Sequence, residues 1–459
     1  MRTASLTKEH SSVVTLRHLS TRRWLSLILL LTVLGRVAFI VLFDHTLSLQ
    51  TSGYDTYAVN VMEGRGYTRF DDRDADSDLP PLYPLFLVGV YEVLDRDPIA
   101  VAVVQIGLDV LTVLLLFWIG RRTGGDLTGL LAATFYGAYP YLLYQNLTLN
   151  DTGIFILLLA AGIAAAVRAA DRATDTARLG GRDWLWAVVL GASFGLGALT
   201  KTWIALVLPL LAVWWWRALD LRAAIRLSVI AGAALIVVIA PWVIRNTMLH
   251  DELVLISTNG GSNLHQGNNA CVADYLARGW DAQWVNCLER PPTGLSEPET
   301  DRWHREQAIT YLREHPGDWP RLFWTKLWVL WSPMIMPYDL PPDPYLVDDA
   351  VLQFESTPFQ IARIMHVVYF TPLLVLGVIG LALGWRDRRP VGPLVAVVIA
   401  VTITYLVFHP STRYRAPADP FVFVLAAYGV LRLYAWIQVR RGITPAGAIH
   451  DIAQPRGGD

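Results

Sequence analysis

The stretch Pro80-Pro81-Leu82-Tyr83-Pro84-Leu85-Phe86-Leu87-Val88-Gly89-Val90-Tyr91-Glu92-Val93-Leu94 decides how the chain is threaded. It is apolar, yet Leu82–Leu94 is only about 13 residues long, where a bilayer crossing needs about 20. If it crosses, every later loop changes sides. Charge resolves the choice, because Lys and Arg gather in the loops left in the cytoplasm. With Leu82–Leu94 held on the outer side, the basic clusters fall together. These are Arg17, Arg22 and Arg23, Arg121-Arg122, Arg168 to Arg182, Arg217 to Arg226, Arg386 to Arg389, and Arg440-Arg441. The stretch therefore reads as an outer juxtamembrane or re-entrant helix. Trp319–Trp331, rich in Trp and carrying Arg321 and Lys326, reads as a second one.

Outward from that stretch lie the candidate spans. They are Trp24–Phe43, Ile99–Ile119, Leu127–Tyr144, Gly153–Val167, Trp184–Leu199, Trp203–Trp216, Ala224–Ile244, Ile361–Leu383, Val391–Phe408 and Pro420–Ile437. The composition agrees: 54% hydrophobic and 17% charged residues, against about 25% charged in soluble domains. Mean hydropathy is +0.38. The expected fold is an all-α polytopic membrane protein with about ten transmembrane helices, outer juxtamembrane helices and one mixed extracytoplasmic domain. Residues 1–23 and 438–459 form cytoplasmic tails. Residues 24–244 form an N-terminal transmembrane module with its first outer loop at 44–98. Residues 245–360 form the outer domain, and 361–437 the last spans. The first apolar run carries Arg36 and has no cleavage site after it, so it reads as a retained anchor. No basic tract is dense enough for nucleic acid.

The two cysteines, Cys271 and Cys287, both fall in the outer domain. An extracytoplasmic location allows a disulfide between them; two free thiols are the alternative. The same domain holds Thr258-Asn259-Gly260-Gly261 and Gly267-Asn268-Asn269. Such Asn/Gly density makes turns and offers side-chain amides, as on Asn259 and Asn268, to sugar hydroxyls. Glu299–His315 reads as an amphipathic helix. His304 and His315 read as surface or capping residues.

Ionisable residues collect at the outer ends of the spans: Asp55 in Gly53-Tyr54-Asp55-Thr56-Tyr57, Asp151 in Asn150-Asp151-Thr152, Lys201 in Leu199-Thr200-Lys201-Thr202, Arg245, and Arg413-Tyr414-Arg415. Any one of them could mark a helix end by snorkelling. The whole set is harder to explain that way, since charge bias should empty this side of Lys and Arg. Cations at headgroup level suit a phosphate, and a nearby carboxylate suits deprotonation of a hydroxyl or amine. Asp55 also reads simply as one more acid of a loop that carries Asp71, Asp72, Asp74, Asp76 and Asp78. Arg36 and Asp109 lie inside spans, where they can pair within the bundle. The triplets Asn146-Leu147-Thr148 and Asn150-Asp151-Thr152 fit the N-glycosylation pattern but sit at a membrane boundary.

These motifs, with Tyr83-Pro84-Leu85-Phe86-Leu87, Pro241-Trp242, Arg245-Asn246 and Arg413-Tyr414-Arg415-Ala416-Pro417, give the chain a resemblance. It resembles the glycosyltransferase C superfamily, in particular protein O-mannosyltransferase-like enzymes and lipid A aminoarabinose transferases. The resemblance implies a polyprenyl-phosphate-sugar donor, an acceptor glycan, lipid or protein on the outer face of the cytoplasmic membrane, and inversion. It implies Asp55 as base and Asp151 as a second acid of the site. Lys201, Arg413, Arg415 and Arg245 would hold the donor phosphate, and Tyr57, Tyr414, Asn259 and Asn268 would contact substrate. The chain departs from the pattern at Thr56, where many relatives carry a second acid, and at Thr152, where they often carry Pro. The resemblance leaves a divalent metal open as a cofactor, and no His/Cys/Asp cluster marks a dedicated metal site. A transporter or flippase of lipid-linked sugars is the alternative, and a non-catalytic scaffold with a sugar-binding domain a third reading.

Overall fold

The computed structural model describes residues 3–44, 47–49, 53–69, 75–175, 183–278, 288–334 and 357–442. The tail 443–459 and the residues Cys287, Asp71, Asp72 and Asp74 lie outside them. Among the described residues there are helices and turns and no strand.

The first half contains α1 (Thr3–Phe43), α2 (Tyr54–Met62), α3 (Leu82–Leu94), α4 (Pro98–Gly124), α5 (Asp126–Gly137), α6 (Pro140–Leu147), α7 (Thr152–Asp175) and α8 (Asp183–Ala198). A 3-10 turn (Thr202–Leu206) then leads into α9 (Val207–Ala218) and α10 (Leu221–His250). Among the described residues six segments are long and apolar enough to cross a membrane: Ser20–Phe43, Pro98–Gly124, Thr152–Asp171, Leu221–His250, Gln360–Arg386 and Thr412–Arg440. Four further apolar helices are shorter: Leu82–Leu94, Asp183–Ala198, Thr202–Ala218 and Gly392–Val407. The expected span Leu127–Tyr144 is not one helix. Pro140 lacks an amide proton and opens α6, and Tyr139 before it is extended at φ −71° and ψ 110°. An apolar run long enough to cross is thus split into 12- and 8-residue helices. The chain is a multi-pass membrane protein, with six full-length apolar helices among its described residues where the sequence suggests about ten spans.

The long segment after α10, expected as a mixed domain, is helical where it is described. It holds α11 (Gly260–Gly267), α12 (Val272–Ala277), α13 (Glu297–Glu314) and α14 (Trp319–Trp331). α13 begins two residues before its expected start because Ser296 and Glu299 form a reciprocal capping box. Val272, Ala273, Leu276, Leu322 and Val329 give α12 and α14 a small core of their own. Cys271 is disulfide-bonded.

The chain closes with α15 (Thr357–Arg386), α16 (Gly392–Val407), one helical turn at Thr412–Arg415, and α17 (Asp419–Arg440). α15 and α17 meet backbone to backbone. A Cβ on Gly380 would come within 1.9 Å of the Leu425 carbonyl oxygen, and one on Gly429 within 2.5 Å of that of Leu376. Small residues at such contacts let helices gain packing in lipid, where no hydrophobic drive joins them.

Arg36 and Asp109 do pair, and both side chains are fully buried. Asp109 also accepts from the Tyr136 hydroxyl at 2.6 Å and the Asn146 amide at 2.7 Å. Arg36 donates to the Gly137 carbonyl at 3.0 Å. The amide of Asn146 is thus engaged in the core rather than presented as a glycan acceptor.

Candidate active site

Gly53 lets the chain enter α2. Its φ of +76° suits glycine, and a Cβ there would press on Arg69 at 3.3 Å. The turn places Asp55 in the first turn of α2, beneath the end of α3. Asp55 is buried. It accepts from the Tyr91 hydroxyl at 2.8 Å, from Arg96 Nε at 3.0 Å and from Arg96 Nη2 at 2.5 Å. Tyr54, its neighbour, meets Tyr83 edge to face at 5.0 Å between ring centroids.

Asp151 ends the turn before α7 and is also buried. It forms an ion pair with Lys201, whose side chain is 11% exposed. Burial pulls the Lys201 ammonium below its ordinary range; Asp151 opposes this, and the charge of Arg413 adds to it. Arg413 therefore stands within electrostatic reach of Lys201, although the two are more than 200 residues apart in sequence. Next to Arg413, the Tyr414 ring stacks on Tyr405 at 5.0 Å and meets the edge of His409 at 5.2 Å.

α3 joins the two acids. At its start, the Leu82 amide donates to the Leu199 carbonyl, two residues before Lys201, at 2.9 Å. Tyr83 donates to Gln105 at 2.9 Å, and Gln105 in turn donates to the Thr148 carbonyl at 3.2 Å. The field of Asp151 reaches Tyr83. At the far end of α3, Tyr91 holds Asp55. The short helix is thus a bar with one acid near each end.

The other expected residues are placed differently. Arg415 is fully buried. It pairs with Asp419 at 3.0 Å, donates to the carbonyls of Leu330 and Ser332 at 3.2 Å each, and lies 4.0 Å over the Phe370 ring. Arg245 donates to the Asp76 carbonyl at 2.6 Å and to Ser77 Oγ at 2.9 Å, with its guanidinium 4.6 Å over Trp242. It ties α10 to the loop between α2 and α3. Tyr57, with no exposed surface, donates to Asp76 at 2.5 Å. Burial and this carboxylate push its phenol far above the ordinary value. Asn259 donates to the Asp78 carbonyl at 2.7 Å. Asn268 donates to the Val407 carbonyl at 2.8 Å and accepts from Lys326 at 2.9 Å. Both amides hold the segment after α10 to its neighbours. His315 closes α13, and His304 faces His265 with their Nδ1 atoms 3.0 Å apart.

The structure therefore places Asp151, Lys201 and Arg413, with Tyr414 beside it, near the start of α3 and Asp55 near its end, and it engages Arg415, Arg245, Tyr57, Asn259 and Asn268 in contacts within the fold. The sequence reading missed Arg96, Tyr91 and Tyr83. In sequence, Arg96 is one charge in the run Asp95-Arg96-Asp97 and reads as solvated loop. The two acids do not fit a divalent cation: their charged partners are cations, Arg96 and Lys201. Among the described residues no three His, Cys, Asp or Glu side chains group as metal ligands would.

Comparison with known proteins gives two matches of different kinds. Residues 78–244 match the family model for dolichyl-phosphate-mannose-protein mannosyltransferase. This interval contains Asp151 and Lys201 but not Asp55 or Arg413. No curated protein matches the chain in sequence. The fold is similar to the oligosaccharyltransferase of Archaeoglobus fulgidus. Its apo form aligns with a TM-score of 0.54 and 14% identity, over 95% of this chain and 57% of that one. The same protein, AglB, in complex with an inhibitory peptide and a dolichol-phosphate aligns with a TM-score of 0.52 and 14% identity, over 94% and 53%. The chain thus spans little more than half the length of these structures, and at such identity the likeness is one of fold. Over residues 78–244 the chain is thus similar to the dolichyl-phosphate-mannose-protein mannosyltransferase family, and over nearly its whole length its fold is similar to that of the archaeal oligosaccharyltransferase.

Proposed function

We propose that this protein is an integral-membrane glycosyltransferase that moves a sugar from a polyprenyl-phosphate donor to an acceptor on the outer face of the cytoplasmic membrane, with inversion. The observation that carries the reading is the bar made by α3, with the acid Asp55 at one end and the Asp151–Lys201 pair, near Arg413, at the other. In the proposed reaction an acceptor oxygen attacks the anomeric carbon from the face opposite the phosphate. The bond from that carbon to the phosphate oxygen breaks, and its electron pair leaves with the phosphate. Asp55 takes the acceptor proton. Lys201 and Arg413 hold the charge that grows on the phosphate. Asp151 keeps the Lys201 ammonium in place, and Tyr414, next to Arg413, contacts substrate. Since the acids do not fit a metal, no step is routed through one.

The archaeal oligosaccharyltransferase has been solved with a dolichol-phosphate and, in another form, tethered to an acceptor peptide. A lipid phosphate and an acceptor are the corresponding ligands proposed here. The segregation of basic clusters supports an outer-face site. The flippase alternative needs an ionisable path across the bilayer. The two mid-span charges Arg36 and Asp109 are instead locked to each other with no exposed surface.

The test is transfer of radiolabelled sugar from a panel of polyprenyl-phosphate sugars to membrane extract, using purified protein in detergent. Transfer by wild type that is lost in Asp55→Asn, with donor binding retained, supports the proposal. Donor binding without product in both proteins moves the flippase or scaffold forward.

A further inference from the structure

Resting on that reading, we infer that Arg96 is a positioning residue that keeps Asp55 closed to water, so that the donor is used for transfer and not for hydrolysis. A carboxylate offers about four lone-pair directions. Three hydrogen bonds occupy Asp55: Tyr91 and Arg96 Nε on Oδ1, and Arg96 Nη2 on Oδ2. A base so engaged has little left with which to take a proton. Exposure is divided unequally within the pair. The Asp55 side chain is 7% exposed and that of Arg96 is 52% exposed. The acid is therefore covered by a side chain that itself stands in solvent, and a small nucleophile arriving from outside meets Arg96 first.

The backbone beside Arg96 favours movement. Asp95 has φ 61° and ψ 169°, a combination that residues with a Cβ seldom adopt. It forms the joint between α3 and α4, whose first turn is capped by Asp97 on the Ile99 amide at 2.9 Å. Arg96 thus sits on a strained three-residue link between two fixed helix ends. A rotation of that link withdraws the guanidinium without disturbing Tyr91, which stays on the body of α3. Glu63, half exposed and paired with Arg65, also acts electrostatically on Arg96 from the solvent side.

The reaction is the one proposed above with the nucleophile exchanged. Water oxygen bonds to the anomeric carbon, the bond to phosphate breaks, and a water proton passes to Asp55. The products are free sugar and polyprenyl phosphate. Acceptor binding that displaces Arg96 opens the base at the moment the acceptor oxygen fills the space; water alone does not displace it.

The experiment measures free sugar and sugar transferred to membrane extract in the same reaction, from a radiolabelled polyprenyl-phosphate sugar that wild type uses. In wild type the ratio of free to transferred sugar is expected to be low. In Arg96→Ala it rises about tenfold or more, the hydrolysis appears even without extract, and Arg96→Lys restores part of the wild-type ratio. A structural role alone would lower both products together and leave their ratio unchanged. An unchanged ratio in both Arg96→Ala and Arg96→Gln, with folding confirmed by thermal unfolding, overturns the inference while leaving the transferase reading intact. If wild type yields neither product from any donor, the transferase reading has failed and the inference fails with it.

Discussion

Lys201 is held charged by one neighbour and discouraged by another. Burial and Arg413 lower its pKa, and Asp151 raises it. If its ammonium binds the donor phosphate, binding must weaken as pH rises through that lowered value. Removing Asp151 takes away the upward influence. In Asp151→Asn the fall in donor binding is therefore expected at lower pH than in wild type, and in Lys201→Arg it is expected to vanish. Lys201→Met should weaken binding about ten- to a hundredfold, the scale of a lost charged hydrogen bond. Titration of a fluorescent polyprenyl phosphate against pH checks all three. Residue type alone drew attention to Lys201, Asp151 and Asp55, the residues of the proposed site, because a charge at a span end is rare enough to stand out. The same rule picked Arg415 and Arg245. What separates them is the partner, Asp419 for one and loop carbonyls for the other, and no spacing rule announces either partner's place in the fold.

Elements were most legible where length and flanks agreed. Leu82–Leu94 and Trp319–Trp331 fold as helices with the boundaries read from sequence. The run around Pro140 misled because hydropathy counts side chains and not missing amide protons. The close contact of α15 and α17 was not legible, since glycines in apolar runs look alike until a second helix arrives. Gly429→Val should force these helices apart and destabilise the protein by about 1–3 kcal/mol, seen as a lower midpoint of thermal unfolding in detergent. α14 offers a pH test. Lys326 is buried and holds Asn268 with the carbonyls of Leu406 and Val407 at the end of α16. Burial lowers its pKa from 10.5 to about 7. Between those values the unfolded chain binds more protons than the folded one, so this lysine makes stability rise with pH from about 7 to 10.5. Lys326→Met should flatten that rise, as read from unfolding midpoints across the same range.

At the scale of the molecule, the threading deduced from basic clusters has a direct test. In a background lacking Cys271 and Cys287, a membrane-impermeant thiol reagent on intact cells should label Ser262→Cys and spare Arg388→Cys; the opposite pattern would invert the proposed site. The core pair Arg36–Asp109 binds α1 to α4, and breaking it with Asp109→Asn leaves a buried cation in the bundle, a loss of about 3–5 kcal/mol measurable by thermal unfolding. Replacing both members by apolar residues should restore most of that loss. The pair has a further consequence. A membrane that stores energy as an ion gradient is a charged capacitor, and any protein crossing it is part of the dielectric. A lone acid at that depth can pick up and release protons, and a chain of such groups becomes a leak. Arg36 and Asp109 close on each other, and with Tyr136, Asn146 and Gly137 around them they leave no exposed surface for a proton to enter. The bundle can therefore carry two charges in its interior and still insulate.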